Sequence, residues 1–386
     1  MNEPGGEVAD RDNEGLRPVT PGSHRSSEFP ELGCYGLAGH ATDPYALLGE
    51  ARTAEELGLG TLFLSERFNT KEAFTLAAAA GAVTTDLRIC TAATNHNTRH
   101  PLVTAAGAVT LHRLTHGRYS LGLGRGFDAL FDVIGLPRIT SAQIRDAVDI
   151  YRRLWRGDTV LGHDGPAGHY PLLQLDPAYD EKIPIALTAI GPATLRLAGE
   201  IADSVVLHTF FTDDTTARAV HTVRAAAEAA GRDPAAPRIW SVLAVVDESQ
   251  GELARLRKLV GRLGTYLQGY GDILVRVNGW DQRILDDFRA HPLVTGAGGA
   301  LDAVADPETL AAVEDLLPAE WLGASATGTA AHCAARIADQ FRAGADGVIL
   351  HGNTPAELTP VLTAWREHRR NEGAVARRTD SRRSDR

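Results

Sequence analysis

The stretch HRLTHGRYSLGLGRGFD, residues His112 to Asp128, decides how the chain is read. Its centre, Gly122-Leu123-Gly124-Arg125-Gly126, has the look of a glycine loop that cradles phosphate. A dinucleotide fingerprint needs G-x-G-x-x-G directly after the first strand of a βαβ unit, opening a helix, with an acid about 20 residues further on. Here the glycines are spaced G-x-G-x-G, far from the chain start, and the region for a ribose-binding acid reads as a helix, SAQIRDAVDIYRRLW (141–155). RYSLGLG (118–124) therefore reads as a strand whose end is glycine.

Outward from that strand, short apolar runs alternate with longer amphipathic ones, which argues βα repetition around a parallel sheet. Upstream, CYGLAG (34–39), TLFLSER (61–67) and LRICTAAT (87–94) are strands. The helices between them are PYALLGEARTAEELG (44–58), KEAFTLAAAAGAVT (71–84) and PLVTAAGAVTLHRLT (101–115), two of them entered through proline. Downstream come a polar, Gly-rich excursion at 157–180 that reads as a hairpin, and the strands IPIALTA (183–189), DSVVLHT (203–209), RIWSVLAVV (238–246) and GADGVILHG (344–352). Residues 250–325 hold helical pieces and irregular stretches and read as an insertion.

Eight strands separated by helices predict an α/β fold of the single (β/α)8 TIM-like barrel type, with insertions, over residues 32–365. A doubly wound open sheet is the competing architecture, and the missing first-turn phosphate loop argues against it. Residues 1–31 are expected to be a disordered N-terminal tail and 366–386 a basic disordered tail.

Composition limits the function. The chain has 386 residues and a net charge of −10, and 366–386 hold eight Arg against four acids, so the rest is more acidic still. A body of that charge is a poor partner for nucleic acid. No apolar run reaches the length of a membrane span, and the polar opening is neither signal peptide nor anchor. Cys34, Cys90 and Cys333 match no metal spacing and read as reduced core residues of a cytoplasmic protein. His96 and His100 form no recognised ligand array, so no metal is expected.

In a barrel, chemistry collects at the C-terminal strand ends. Those ends carry Glu66 and Arg67, then Thr94-Asn95-His96-Asn97, Gly124-Arg125-Gly126, Thr188-Ala189-Ile190-Gly191, His208 and His351. Small residues there let a flat ligand lie against backbone, although barrel packing asks for small residues too. After Gly191, Pro192 starts a helix whose free N–H groups face the barrel mouth and suit a phosphate; a plain tight turn is the other reading. Glu66 and Arg67 read either as an acid/base or anion-clamp pair or as solvated loop charges.

HRLTHGRYSLGLGRG resembles the fourth-strand signature of the luciferase-like monooxygenase superfamily. DPYALLGEARTAEELGLGTLFLSER (43–67), RHPLVTAAGAVTLHRLTHGR (99–118) and IPIALTAIGPATLRLAGEIADSVVL (183–207) are similar to that family as well. The resemblance implies a TIM-like barrel oxidoreductase that binds coenzyme F-420 or FMN, with the deazaflavin branch the nearer through TAIGPA (188–193). Carried onto this chain, cofactor contacts fall on Thr91, Ala92, Ala93, Thr94, Gly124, Arg125, Gly126, Thr188, Ala189, Ile190, Gly191 and Pro192. The branch also places a non-prolyl cis bond at Thr91–Ala92 or one bond later.

The chain departs from the sugar-phosphate dehydrogenases of that branch. Glu66-Arg67 stands where they have Asp-His, and Phe127 stands where they have an acid. Glu66 and Arg67 are thus the catalytic candidates, with Arg67 a stabiliser of negative charge rather than a base. The resemblance further implies a small-molecule substrate and a homodimer. The alternatives are an FMN-dependent monooxygenase and a non-catalytic flavin-binding module.

Overall fold

The computed structural model describes residues 27–384 apart from Asn69, with side chains described as far as residue 372. Eight parallel strands close a barrel: β1 (Phe29–Tyr35), β2 (Leu59–Leu64), β3 (Arg88–Thr91), β4 (Tyr119–Leu123), β5 (Ile185–Thr188), β6 (Ser204–Val206), β7 (Arg238–Asp247) and β8 (Gly347–His351). Closure runs through Val206↔Trp240 between β6 and β7, Gly347↔Trp240 between β7 and β8, and Leu32↔Val348 between β8 and β1. The open sheet is thereby excluded.

Helices α1 (Ala46–Glu56), α2 (Ala73–Ala82), α3 (Pro101–Leu114), α4 (Ser141–Trp155), α5 (Pro192–Ile201), α6 (Asp213–Ala229), α7 (Ala330–Arg342) and α8 (Thr359–Ser384) form the outer ring. Every residue of β2 is buried, as a strand with packing on both faces requires. Side chains cap most helix starts: Glu72 accepts from the Phe74 and Thr75 amides, Thr140 and Gln143 form a capping box, and Thr212 accepts from the Thr215 amide. The start of α5, at Gly191, has no such cap.

The barrel interior is a small cluster that includes Phe63, Cys90, Ala186, Val206, Trp240 and Ile349. Phe63 and Trp240 meet edge-on with centroids 5.1 Å apart. Glycines on neighbouring strands make room for them. A Cβ on Gly33 would stand 2.7 Å from the Phe63 ring, and one on Gly347 would stand 2.5 Å from the Trp240 ring. Cys34, Cys90 and Cys333 are all buried free thiols.

The excursion after α4 is the expected hairpin, Val160–Gly165 paired antiparallel with Gly168–Leu173. The insertion at 250–325 is a run of helices, of which Arg262–Asn278 is the longest, and a short strand, Ala326–Gly328, follows and pairs with β7. His40 Nε2 lies 3.0 Å from Asp302, which ties this insertion to the loop after β1.

Two boundaries differ from expectation. β1 starts at Phe29 rather than Cys34, so residues 29–31 belong to the barrel; residues 1–26 of the expected tail lie outside the described residues. The stretch 366–384 is not a disordered tail but the continuation of α8. Arg366 pairs with Glu28 and Arg369 with Glu31, so the first basic residues of that stretch are anchored to the start of β1. Among the described residues, no helix is long and apolar enough to cross a membrane.

Candidate functional site

Two cavities open at the C-terminal ends of the strands and share Arg67, Ala93, Thr188, Leu207 and His208 in their walls. The larger, about 1180 Å³, runs from Glu66 and Ala93 past Gly124–Gly126 to Gly191 and Thr194. The smaller, about 230 Å³, lies over Ala92 and Ala93 and is walled by Tyr35, Lys71, Tyr266 and His351.

The expected cofactor residues assemble at one place. The Ala92–Ala93 peptide is cis, the second of the two bonds expected. Around it β3 and β4 lock together. Thr91 Oγ1 donates to the Gly122 carbonyl at 2.9 Å and accepts from the Gly122 amide at 2.7 Å, and beyond the cis bond the Thr94 amide donates to the same carbonyl at 3.0 Å. A Cβ on Gly122 would fall 1.6 Å from the Thr91 carbonyl oxygen, so only glycine fits there. Thr91 and Thr94 are thus buried braces behind the cavity floor rather than its surface.

Ala93, Gly124, Arg125 and Gly126 line the larger cavity. A Cβ on Gly124 would stand 2.7 Å from Thr188 Oγ1 and take up the floor, and Gly126 has φ +69°. Arg125 is exposed and its Nε donates to the Ile139 carbonyl at 3.0 Å. Thr188, Ala189, Ile190 and Gly191, at the end of the adjoining strand β5, line the same cavity. Pro192 lies behind them as the first residue of α5, and Thr194, which the sequence reading passed over, reaches the cavity instead. Pro192 has no amide hydrogen, and the start of α5 carries no side-chain cap, so the Ala193 and Thr194 amides are free for an anion.

Glu66 and Arg67 go to different surroundings. Glu66 is buried, ion-paired with Arg99, and accepts from Thr94 Oγ1 at 2.5 Å. Arg67 faces both cavities and donates through Nη1 to the Gly39 carbonyl at 2.7 Å. Burial, and next the neighbouring Arg262 charge, pull the Arg67 guanidinium below its usual value.

His208 and His351 were visible as strand ends, but nothing in the sequence gave them partners. His208 Nδ1 lies 2.7 Å from the Thr209 carbonyl, which can only accept, so Nδ1 carries the proton. Nε2 then accepts from the Tyr270 hydroxyl at 2.9 Å. Burial holds this imidazole neutral, with its pKa down to about 4. Tyr270 sits at a kink in the helix Arg262–Asn278 (φ −145°, ψ 32°) and packs edge-on against Phe127 at 6.0 Å. Lys71 was missed altogether. Its signal was its place four residues after Arg67, where a turn returns the chain to the same cavity. Among the described residues, no group of three His, Cys, Asp or Glu side chains gathers in a way that would hold a metal.

The sequence profile of the luciferase-like monooxygenase family matches residues 30–347. The chain belongs to that family. A 5,10-methylenetetrahydromethanopterin reductase of Methanolobus tindarius is 28% identical over 205 residues, 52% of this chain and 61% of that protein. A phthiodiolone/phenolphthiodiolone dimycocerosates ketoreductase of Mycobacterium tuberculosis is 32% identical over 187 residues, 47% of this chain and 49% of the relative. The matches thus span about half to three fifths of those curated relatives. Among solved structures, the coenzyme F-420-dependent tetrahydromethanopterin reductase of Methanopyrus kandleri superposes with TM-score 0.72 at 20% identity, covering 86% of this chain and 97% of that one. The oxygenating component of 3,6-diketocamphane monooxygenase from Pseudomonas putida, in complex with FMN, superposes with TM-score 0.58 at 19% identity, covering 86% and 94%. At those identities the likeness is one of fold.

Proposed function

We propose that the protein is an oxidoreductase that uses coenzyme F-420 to transfer a hydride to or from a small organic substrate. One observation carries this reading: a single cavity of about 1180 Å³ joins a glycine floor to the uncapped start of a helix. A flat ring system fits the floor because Gly124 and Gly126, which line it, carry no Cβ. An anionic tail fits the α5 start, where free amides and the helix dipole act together.

When bound, the deazaflavin supplies a two-electron hydride carrier that scarcely reacts with oxygen. The rest falls to side chains of this chain. Ala93 and Thr188 fix where the ring lies, because both belong to the walls of both cavities. Arg67 meets negative charge that develops where the two cavities join, and its burial strengthens that interaction. Tyr270 and Phe127 meet edge-on and supply an aromatic part of the larger cavity's wall.

The F-420-dependent neighbours favour the deazaflavin, and the FMN complex among the neighbours keeps a flavin monooxygenase as the second reading. The deciding measurement is a fluorescence titration of the purified protein with each cofactor, followed by oxygen uptake. Tight FMN binding with oxygen consumption moves the assignment to the monooxygenase. F-420 binding without reduction or oxidation of any enone, imine, ketone or alcohol moves it to a non-catalytic binding module. The homodimer belongs to this proposal and is checked by sedimentation.

A further inference from the structure

The smaller cavity holds an imbalance of charge that the cofactor reading does not use. Arg67 and Lys71 are brought side by side by a tight turn, in which the Arg67 amide donates to the Lys71 carbonyl at 3.0 Å and the Lys71 amide donates back at 2.8 Å. Each cation uses one donor on backbone: Arg67 on Gly39 at 2.7 Å, and Lys71 Nζ on Leu37 at 2.9 Å. A guanidinium has five N–H groups and an ammonium three. Among the described residues, no carboxylate lies within ion-pair distance of either side chain. Two carboxylates stand further off: Asp302, already paired with Arg262 at 2.7 Å, and Glu50, which accepts from the Leu37 amide at 2.7 Å and whose charge reaches Lys71 without an ion-pair contact.

His351 forms part of the same cavity wall, and its buried Nδ1 has no hydrogen-bond partner. Burial, then the charges of Arg262 and Arg67 among others, hold this imidazole neutral, so Nδ1 can carry a hydrogen and donate it. Two adjacent cations at this depth, with donors unused and no carboxylate in contact, are costly unless something satisfies them.

We propose that this cavity receives a carboxylate of the substrate, held by Arg67 and Lys71, so that the protein acts on small organic acids. The inference rests on the hydride-transfer reading, since it makes the occupant of the smaller cavity the substrate and leaves the larger cavity to the cofactor. A volume of about 230 Å³ suits a head group and a short stem, and the opening onto Ala93 and Thr188 sets the adjoining carbon against the cofactor floor. Burial, and next the Arg67 charge, hold the Lys71 pKa down to about 8 against the opposing pull of Glu50. A carboxylate between the two cations reverses that pressure and keeps Lys71 charged.

The test uses the full chain with benzoate as probe and benzamide as its uncharged counterpart, titrated calorimetrically with and without saturating F-420. Benzoate is expected to bind at least tenfold more tightly than benzamide, beside F-420 rather than against it. Lys71→Met is expected to weaken benzoate at least tenfold, a loss of about 1.4 kcal/mol, while F-420 affinity stays within about threefold. Equal binding of the two probes, or binding of neither, overturns the inference, and that comparison needs no variant. Displacement of F-420 by benzoate also overturns it, because the anion position then belongs to the cofactor. Should F-420 fail to bind while benzoate still outcompetes benzamide through Lys71, the anion site stands and only the cofactor assignment falls.

Discussion

The Tyr270 hydroxyl donates to His208 Nε2 at 2.9 Å, and this bond joins the end of β6 to the helical insertion over the barrel mouth. Tyr270 is the residue at which the helix Arg262–Asn278 breaks its regular backbone, so the contact also fixes where that helix bends. Tyr270→Phe removes the donor and leaves a buried ring nitrogen unsatisfied, which costs about 1–3 kcal/mol. Amide hydrogen exchange should rise through 262–278 while the outer helices keep their protection. Unchanged exchange in that helix would show that the insertion is held elsewhere.

His208 also gives stability a pH dependence. Folding depresses its pKa from 6.5 to about 4 through burial. Between those values the unfolded chain takes up a proton that the folded chain refuses. This contribution to stability is therefore whole above pH 6.5 and is lost as the pH falls to about 4. Urea unfolding of His208→Gln at pH 7, 6, 5 and 4.5 should show a pH slope shallower than that of the parent by up to about 1.4 kcal/mol per unit. Parallel slopes would mean that His208 is already charged in the folded protein.

Glu66 and Arg99 form an ion pair at the edge of the larger cavity. The Glu66 side chain is 2% exposed and the Arg99 side chain 18%, and Arg99 also pairs with Glu72 at the start of α2. Arg99→Met strands the Glu66 carboxylate and should cost about 2–3 kcal/mol, the lower side for a buried pair because Arg99 keeps some contact with water. With Arg99 and Thr94 as its partners, Glu66 is expected to act as a brace. Glu66→Gln should thus lower the denaturant midpoint and leave the pH profile of turnover in place; a shifted profile would return Glu66 to the role of acid or base.

The barrel was legible because its strands are short apolar runs punctuated by Gly and Pro, a pattern set by local chemistry. β1 was placed too late because Pro30 reads as a strand breaker. An irregularity of register between Phe29 and Gly33 accommodates a residue with no N–H to give. The end of α8 was read as disorder from its charge alone, since the partners of Arg366 and Arg369, Glu28 and Glu31, lie more than 330 residues away. The glycine floor was visible as strand ends. Lys71 and the Tyr270–His208 bond were not, because each depends on a loop or an insertion folding back over the mouth, and no periodicity records that.

Gly191 and Arg67 should fail in different ways. Gly191 immediately precedes α5 at the far end of the larger cavity, and a Cβ there would stand 3.0 Å from Ile273 Cδ1, on the insertion helix. Gly191→Val therefore intrudes where the free amides of α5 meet the cofactor and should raise its dissociation constant at least tenfold, about 1.4 kcal/mol. The φ of −90° at Gly191 suits any residue, so the variant should still fold. Arg67→Ala removes a charge from the junction of the two cavities and should lower kcat/KM by roughly 10²-fold, with cofactor affinity little changed. Fluorescence titration and steady-state kinetics on the two variants separate the roles. Normal cofactor affinity in Gly191→Val would withdraw the helix start as an anion site, and normal kcat/KM in Arg67→Ala would reduce Arg67 to a loop charge tied to Gly39.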